Sequence, residues 1–287
     1  MRLPDLVGIG TRRSGSSWFH SILNSHPDIG KPPTGLHFFS SEYRQGIDWY
    51  ASHFESFVDR KLLAEFSVSY TYPGTAAAVA HRIHSTVPDA KLFVLVREPV
   101  ARAFSDYLRS IRVGDIDRST HFVDAIQLFP EILDRSRYSE TLQPYVDLFR
   151  GRLFLMIYEE FLASPTIGIA RFAKFAGVDP HGFSSRVLLS STRNGQTVRW
   201  PRLHAGIRQT KARLDAAIPS GLSSTAWGRI KDKNRRVYQN LLALAEAPEA
   251  LDPSLQNDLE VLFAHDTAYV ESISGRSLRG WWGTGGF

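Results

Sequence analysis

Three apolar runs recur along the chain in one context. Leu6-Val7-Gly8-Ile9 ends on Gly10, a second run occupies Lys91-Leu-Phe-Val-Leu-Val-Arg97, and a third occupies Arg152-Leu-Phe-Leu-Met-Ile-Tyr158. Each is short and continuous, as a strand buried on both faces requires. After each run the spacing becomes helical. Trp18, Phe19, Ile22 and Leu23 mark a helix that stops at Asn24-Ser25-His26-Pro27. Val100, Ala103, Phe104, Tyr107, Leu108 and Ile111 mark another from Pro99 to Arg112, and Thr166 to Gly177 reads as a third, closed by glycine. A last helix is predicted over Leu251 to Ser274, with Leu255, Leu259, Leu262 and Phe263 on one stripe. Strands alternating with helices predict an α/β fold with an open, mostly parallel sheet flanked by helices.

Between these elements, residues 31–75 hold proline, glycine and aromatics without a clear period. Residues 190–225 are rich in Ser, Thr, Gly and basic side chains. Both read as active-site loops. The run Lys231 to Arg236 is most simply the exposed face of a helix. There is no internal repeat, and 287 residues with 43% hydrophobic content suffice for one sizeable core, so a single domain over residues 1–287 is expected. No stretch approaches the ~18 uncharged apolar residues of a membrane span. The first residues lead directly into a strand without a charged-then-apolar leader, so the expectation is a soluble, cytoplasmic protein.

Charge adds a modest bias. The 34 basic and 29 acidic residues leave a net charge of +5, which favours acidic ligands but falls short of what a dedicated nucleic-acid binder carries. The absence of cysteine removes disulfide frameworks, thiolate metal sites and cysteine nucleophiles together. The chemistry must use oxygen and nitrogen groups.

The first candidate for that chemistry is the loop Gly10-Thr11-Arg12-Arg13-Ser14-Gly15-Ser16-Ser17. Ligands of open parallel sheets sit at the carboxyl ends of strands. A glycine loop entering a helix offers free N–H groups and the positive end of the helix dipole to a phosphate. The loop departs from the Walker pattern GxxxxGK[ST] because Ser16 stands where the lysine belongs, while Arg12 and Arg13 lie earlier. That weighs against ATP hydrolysis. At the end of the second strand, Arg97 supplies a bidentate fork for a phosphate and Ser105, on the following helix, a further donor. Two anion sites at neighbouring strand ends suit a ligand with phosphates at both ends. The competing reading of Arg97 is a structural ion pair with Glu98 or Asp106.

These two motifs resemble those of sulfotransferases that use 3′-phosphoadenosine 5′-phosphosulfate (PAPS), particularly the branch holding heparan sulfate sulfotransferases and bacterial relatives. Their first loop, G-x-x-K/R-x-G-T/S-T/S, is similar to Gly10–Ser17, with Arg13 in the place of the family lysine, as in the Arg-Ser-Gly-Thr-Thr run of tyrosylprotein sulfotransferases. Their second motif, R-[DE]-P-x-x-R-x-x-S, matches Arg97, Glu98, Pro99, Arg102 and Ser105. Similarity continues through Ser25-His26-Pro27-Asp28, Leu36-His37-Phe38-Phe39, Gly46 to Tyr50, Pro88 to Lys91, Tyr138 with Leu142, Tyr158-Glu159 and Gly275 to Trp281.

The resemblance implies a P-loop-like sulfotransferase fold, PAPS as donor, adenosine 3′,5′-bisphosphate (PAP) as product, and no required metal. It implies Arg12, Arg13, Ser14, Gly15, Ser16, Ser17 and Trp18 at the 5′-phosphosulfate, Arg97 and Ser105 at the 3′-phosphate, and Arg193 and Gly195 in a loop over the nucleotide. Arg13 is expected to stabilise charge on the leaving phosphate. Two departures fall on the acceptor side. The family's K-E-x-H-F-F reads Thr34-Gly35-Leu36-His37-Phe38-Phe39, so Gly35 replaces the glutamate base, and E-K-[ST]-P-x-Y reads Glu65-Phe66-Ser67-Val68-Ser69-Tyr70, without the lysine. His37 is the first candidate base and Glu65, at the end of a short strand-like run, the second. Asp48, Trp49 and Tyr50 are candidates for lining the acceptor cleft. Saccharides, phenols and small molecules are the expected acceptor classes, without nucleic acid. The alternatives are a P-loop nucleotide kinase and a noncatalytic 3′-phosphonucleotide-binding protein.

Overall fold

A computed structural model describes residues 2–189 and 251–282. They divide into two compact units, with the main one formed by residues up to Ala103, from Glu131 and from Pro253 onward, and the other including Phe104–Pro130. The main unit is built on a five-stranded parallel sheet of order β2-β3-β1-β4-β5, with β1 Leu6–Gly10, β2 Ile29–Gly30, β3 Leu62–Phe66, β4 Lys91–Val96 and β5 Leu153–Ile157. The expected α/β architecture and the three strands read from the apolar runs are therefore present. Two more strands are present: β2, just before the stretch read as loop, and β3, which is the short strand-like run at Glu65 inside it.

Strand alternation sends successive side chains to opposite faces. Along β4, Leu92, Val94 and Val96 join one core, while Phe93 and Leu95 join the other. The first core is closed by α3 Ala76–Thr86, α7 Tyr138–Leu148 and α12 Ala264–Ser274, through residues such as Val79, Ile83, Leu142, Tyr145 and Val270. The second is closed by α1 Ser16–Asn24 and α9 Pro165–Ala176, through Trp18, Phe19, Ile22, Phe172 and Ala173. Phe19 is wedged edge-on against Phe172, with ring centroids 5.0 Å apart, and lies 5.3 Å from Phe93. Gly8 is required in β1 because the Phe66 and Phe93 rings of the flanking strands occupy the space a Cβ would take.

The other helices are α2 Ile47–Ser52, α4 Pro99–Val113, α5 Phe122–Leu128, α6 Glu131–Asp134, α8 Tyr158–Ala163, α10 Ser185–Leu189 and α11 Pro253–Leu262. The single last helix expected over 251–274 is two, α11 and α12, parted at Phe263 (φ −94°, ψ 9°). The bend buries Phe263 and leaves Leu262 exposed, so the stripe does not stay on one face. It also brings the buried Asp266 carboxylate to the start of α7, where it accepts from the Ser139 N–H (2.9 Å) and hydroxyl (2.8 Å). No helix among the described residues is long and apolar enough to cross a membrane.

Candidate active site

The loop after β1 is wound by residues outside ordinary backbone space. Gly15 takes the left-handed conformation (φ 85°), and Arg13 also has positive φ (72°). Beneath them the Thr11 hydroxyl donates to the Leu95 carbonyl (2.9 Å) and lies 2.6 Å from Ser14 Oγ, so the loop floor is tied to β4. The first bond within α1 runs from the Phe19 N–H to the Gly15 carbonyl (3.0 Å), and no side chain among the described residues caps the helix. The N–H groups of the opening turn are consequently available to an anion. Ser16 and Ser17 stand on that turn with at least partial exposure, and Arg12 and Arg13 are half-buried. The side chains of Ser14 and Trp18 are interior, Trp18 donating from Nε1 to the Val187 carbonyl (3.0 Å).

Arg97 leaves β4 at the same sheet edge. Its guanidinium lies over the Tyr158 ring, 5.1 Å from the centroid, and the same ring fills the space a Cβ on Gly15 would need, 2.7 Å from its nearest atom. Tyr158, the first residue after β5, therefore joins the two motifs physically. Arg97 Nε is buried without a hydrogen-bond partner among the described residues. Around it the second motif is tied by hydrogen bonds. Glu98 is the helix cap of α4, accepting from Val100 N–H (2.9 Å) and Ala101 N–H (2.5 Å), which occupies the carboxylate proposed as an ion-pair partner for Arg97. The Tyr138 hydroxyl donates to the Arg97 carbonyl (2.8 Å) and accepts from its N–H (3.3 Å). Arg102 is fully buried, its Nε donating to Ser136 Oγ (2.5 Å) and its Nη2 to the Ile132 carbonyl, so it anchors α4 rather than facing a ligand. Glu159 accepts from Glu98 N–H (3.0 Å) and Trp282 Nε1 (2.9 Å). Burial raises the pKa of both Glu98 and Glu159.

The acceptor-side loop is held by a second group of polar residues. Glu65, on β3, is 1% exposed, and burial pushes its carboxyl up to about 7. Its Oε1 accepts from the Leu36 N–H (3.3 Å) and from the Ser67 hydroxyl. Ser67 Oγ in turn accepts from the His37 N–H (2.8 Å). His37 has φ 55°, and its carbonyl receives the N–H groups of Ser40, Ser41 and Glu42. The ring is half-buried, Nδ1 lies 2.7 Å from Ser69 Oγ, and burial lowers its pKa. A Cβ on Gly35 would meet the Phe66 carbonyl at 2.7 Å and Ser67 Oγ at 2.8 Å, so the position is sterically closed to a larger residue. Lys31 and His20 complete the surroundings. Burial lowers Lys31 to about 8 and His20 to about 4. Lys31 Nζ donates to the Pro32 carbonyl (2.6 Å) and Asn24 Oδ1 (3.2 Å).

Among the acceptor-cleft candidates, Asp48 is exposed and Trp49 half-buried, while Tyr50 is in the core, stacked on Phe38 at 4.2 Å. Ser105 lies on α4, in the part of that helix that belongs to the second unit. Arg193, Gly195 and the basic run 231–236 lie outside the described residues. No group of three or more His, Asp or Glu side chains suited to a metal occurs among the described residues. Tyr158 was missed as a site residue from sequence. Its position directly after the third apolar run, at a strand's carboxyl end, was the available signal.

Comparison with known proteins adds the family. A profile described as "Sulfotransferase domain" matches residues 3–215. Heparan sulfate glucosamine 3-O-sulfotransferase 6 of Mus musculus is 34% identical over 251 residues, covering 83% of this chain and 72% of the relative. Membrane-associated sulfotransferase kil1 of Dictyostelium discoideum is 37% identical over 115 residues, 38% of this chain, and the match spans only 24% of that protein's length. Among solved structures, a sulfotransferase from Alicyclobacillus acidocaldarius superposes with a TM-score of 0.66 at 21% identity, over 98% of this chain and 99% of that one, which establishes a common fold.

Proposed function

The chain belongs to the sulfotransferase domain family, and from that premise we propose that it transfers a sulfuryl group from PAPS to a hydroxyl or amine acceptor. Bound PAPS supplies an activated sulfuryl group, whose bond to the 5′-phosphate oxygen breaks, the electron pair leaving with PAP, as the acceptor atom bonds to sulfur. The observation that carries the reading is the Arg97–Tyr158–Gly15 stack. It sets a partly exposed guanidinium, whose buried Nε has no partner among the described residues, beside a helix start that no described side chain caps, which is the donor set a nucleotide phosphorylated at two positions needs.

Within this reading the Ser16, Ser17 and Trp18 N–H groups and the Ser16 and Ser17 hydroxyls hold the 5′-phosphate. Ser14 braces the loop through Thr11. Arg12 and Arg13 supply positive charge, Arg13 to the leaving oxygen. Arg97 and Ser105 grip the 3′-phosphate, with Arg193 and Gly195 as further contacts. His37 takes the acceptor proton at Nε2. Glu65 is enclosed, so its role is to brace Leu36 and Ser67 rather than to reach an acceptor. Saccharide hydroxyls are the first acceptors to assay, since the mouse relative is named for glucosamine of heparan sulfate; phenols follow, because their lower pKa reduces the need for a strong base.

Equilibrium titration tests the donor side. PAP is expected to bind and Mg·ATP to be excluded from the same site; tight Mg·ATP binding with none for PAP would instead favour a nucleotide kinase.

A further inference from the structure

Three oxygens and one ring nitrogen form a closed circuit around His37. The Ser40 hydroxyl reaches the His37 carbonyl (3.0 Å), Ser40 Oγ and Ser69 Oγ are 2.7 Å apart, and Ser69 Oγ is 2.7 Å from His37 Nδ1. Each serine has a single hydroxyl hydrogen, and a neutral imidazole has a single N–H. Only one assignment makes all three bonds at once. The carbonyl can only accept, so Ser40 donates to it. Ser40 Oγ then accepts from Ser69, and Ser69 Oγ accepts from His37 Nδ1–H. Reversing the direction makes Ser40 donate to Ser69 and leaves the carbonyl contact without a hydrogen.

We propose that Ser69 and Ser40 are positioning residues that lock neutral His37 in the Nδ1–H tautomer, so that Nε2 carries a lone pair toward the acceptor. The reverse tautomer would present Nε2–H, a donor unable to take a proton. The use of that lone pair as the base rests on the function proposed above; the tautomer itself rests on the circuit alone.

Two features make this arrangement particular to this chain. Gly35 stands where the resembling enzymes carry a glutamate base, and the Phe66 carbonyl and Ser67 close that position to any replacement. The imidazole, two residues along the same loop and partly exposed, is the candidate base for the vacated role. The loop is also wound to aim it. His37 adopts positive φ, its N–H is held by Ser67, and three successive N–H groups converge on its carbonyl. Burial favours the neutral ring, which the Nε2 lone pair needs, because an imidazolium would carry hydrogen on both nitrogens. The charged and titratable groups around the ring are Glu42 on the following turn and His20 on α1.

The test is a long-range 1H–15N correlation spectrum of the full chain at neutral pH, with His37 assigned by its loss in His37→Gln. We expect a bare-nitrogen shift at Nε2 and a protonated-nitrogen shift at Nδ1. A protonated Nε2 overturns the inference. Ser69→Ala should let the tautomers mix and lower kcat about 10–100-fold with little change in KM for PAPS, and Ser69→Thr, which keeps the hydroxyl, should restore both tautomer and rate. Ser69→Ala with an unshifted His37 spectrum would also overturn it. His37→Ala with wild-type turnover would remove the histidine from the mechanism, while the wild-type spectrum would still decide the tautomer.

Discussion

Replacing Arg97 by alanine probes the joint between the two anion sites. The guanidinium rests on the Tyr158 ring and its Nε has no partner among the described residues, so that donor is left for a ligand. A bidentate grip on the 3′-phosphate uses two charge-assisted bonds worth about 1.5–3 kcal/mol each. Half-exposure of the side chain to solvent argues for the lower end, roughly 3 kcal/mol in all, which is a rise in Kd of about 10²-fold. The Gly15–Tyr158 contact does not involve Arg97, so the 5′ half of the site should survive. Calorimetric titration of wild type and Arg97→Ala with PAP and with adenosine 5′-phosphate separates the halves. We expect the large loss for PAP only, with Arg97→Lys recovering part of it, since a lysine keeps the charge but not the fork. A change below threefold for PAP, or an equal loss for both ligands, would refute the assignment of Arg97 to the 3′-phosphate.

Gly15→Ala should abolish nucleotide binding and lower Tm, because the new Cβ meets the Tyr158 ring at 2.7 Å on a backbone at φ 85°; thermal melts and PAP titration check it. Arg13→Ala should reduce kcat by about 10²-fold or more with a smaller effect on PAP affinity, read by steady-state kinetics beside titration. Gly35→Glu should fail to restore turnover to His37→Ala and should destabilise the fold by about 1–3 kcal/mol in urea melts, since the Phe66 carbonyl blocks the side chain. Glu65 has its folded pKa raised to about 7, so below the ordinary carboxyl range it is protonated in both states and costs nothing. As pH rises from about 4.5 to 7 the unfolded chain ionises first, and stability falls by about 3 kcal/mol. Glu65→Gln should flatten that slope in Tm measured across pH 4–8.

The donor half of the candidate site was more legible in sequence than the acceptor half. Gly10 and Arg97 sit at the ends of apolar runs that read as buried strands, with Gly15 in the loop that follows the first, and the carboxyl-edge rule for parallel sheets then places them together. Strand β3 was harder to see, because Glu65 is buried within it and interrupts the apolar pattern; only tertiary enclosure, with Leu36 and Ser67 as partners, makes that carboxyl compatible with a strand interior. Strand β2 has two residues, too few to leave a period. The break at Phe263 was invisible for a different reason. The apolar spacing continues across it, and the turn is set by what Phe263 and Asp266 bury against, not by a local breaker such as proline. Tyr158 likewise acquires its meaning only in three dimensions, where its ring touches both Gly15 and Arg97.

The most direct measurement is transfer of label from [35S]PAPS by the purified chain to a panel of saccharide and phenolic acceptors, with PAP release followed in the same reaction. We expect labelled product and PAP to form in equal amounts, at a rate that falls in both Arg13→Ala and His37→Ala. PAP binding without transfer to any acceptor would contradict catalysis and leave a nucleotide-binding protein in its place.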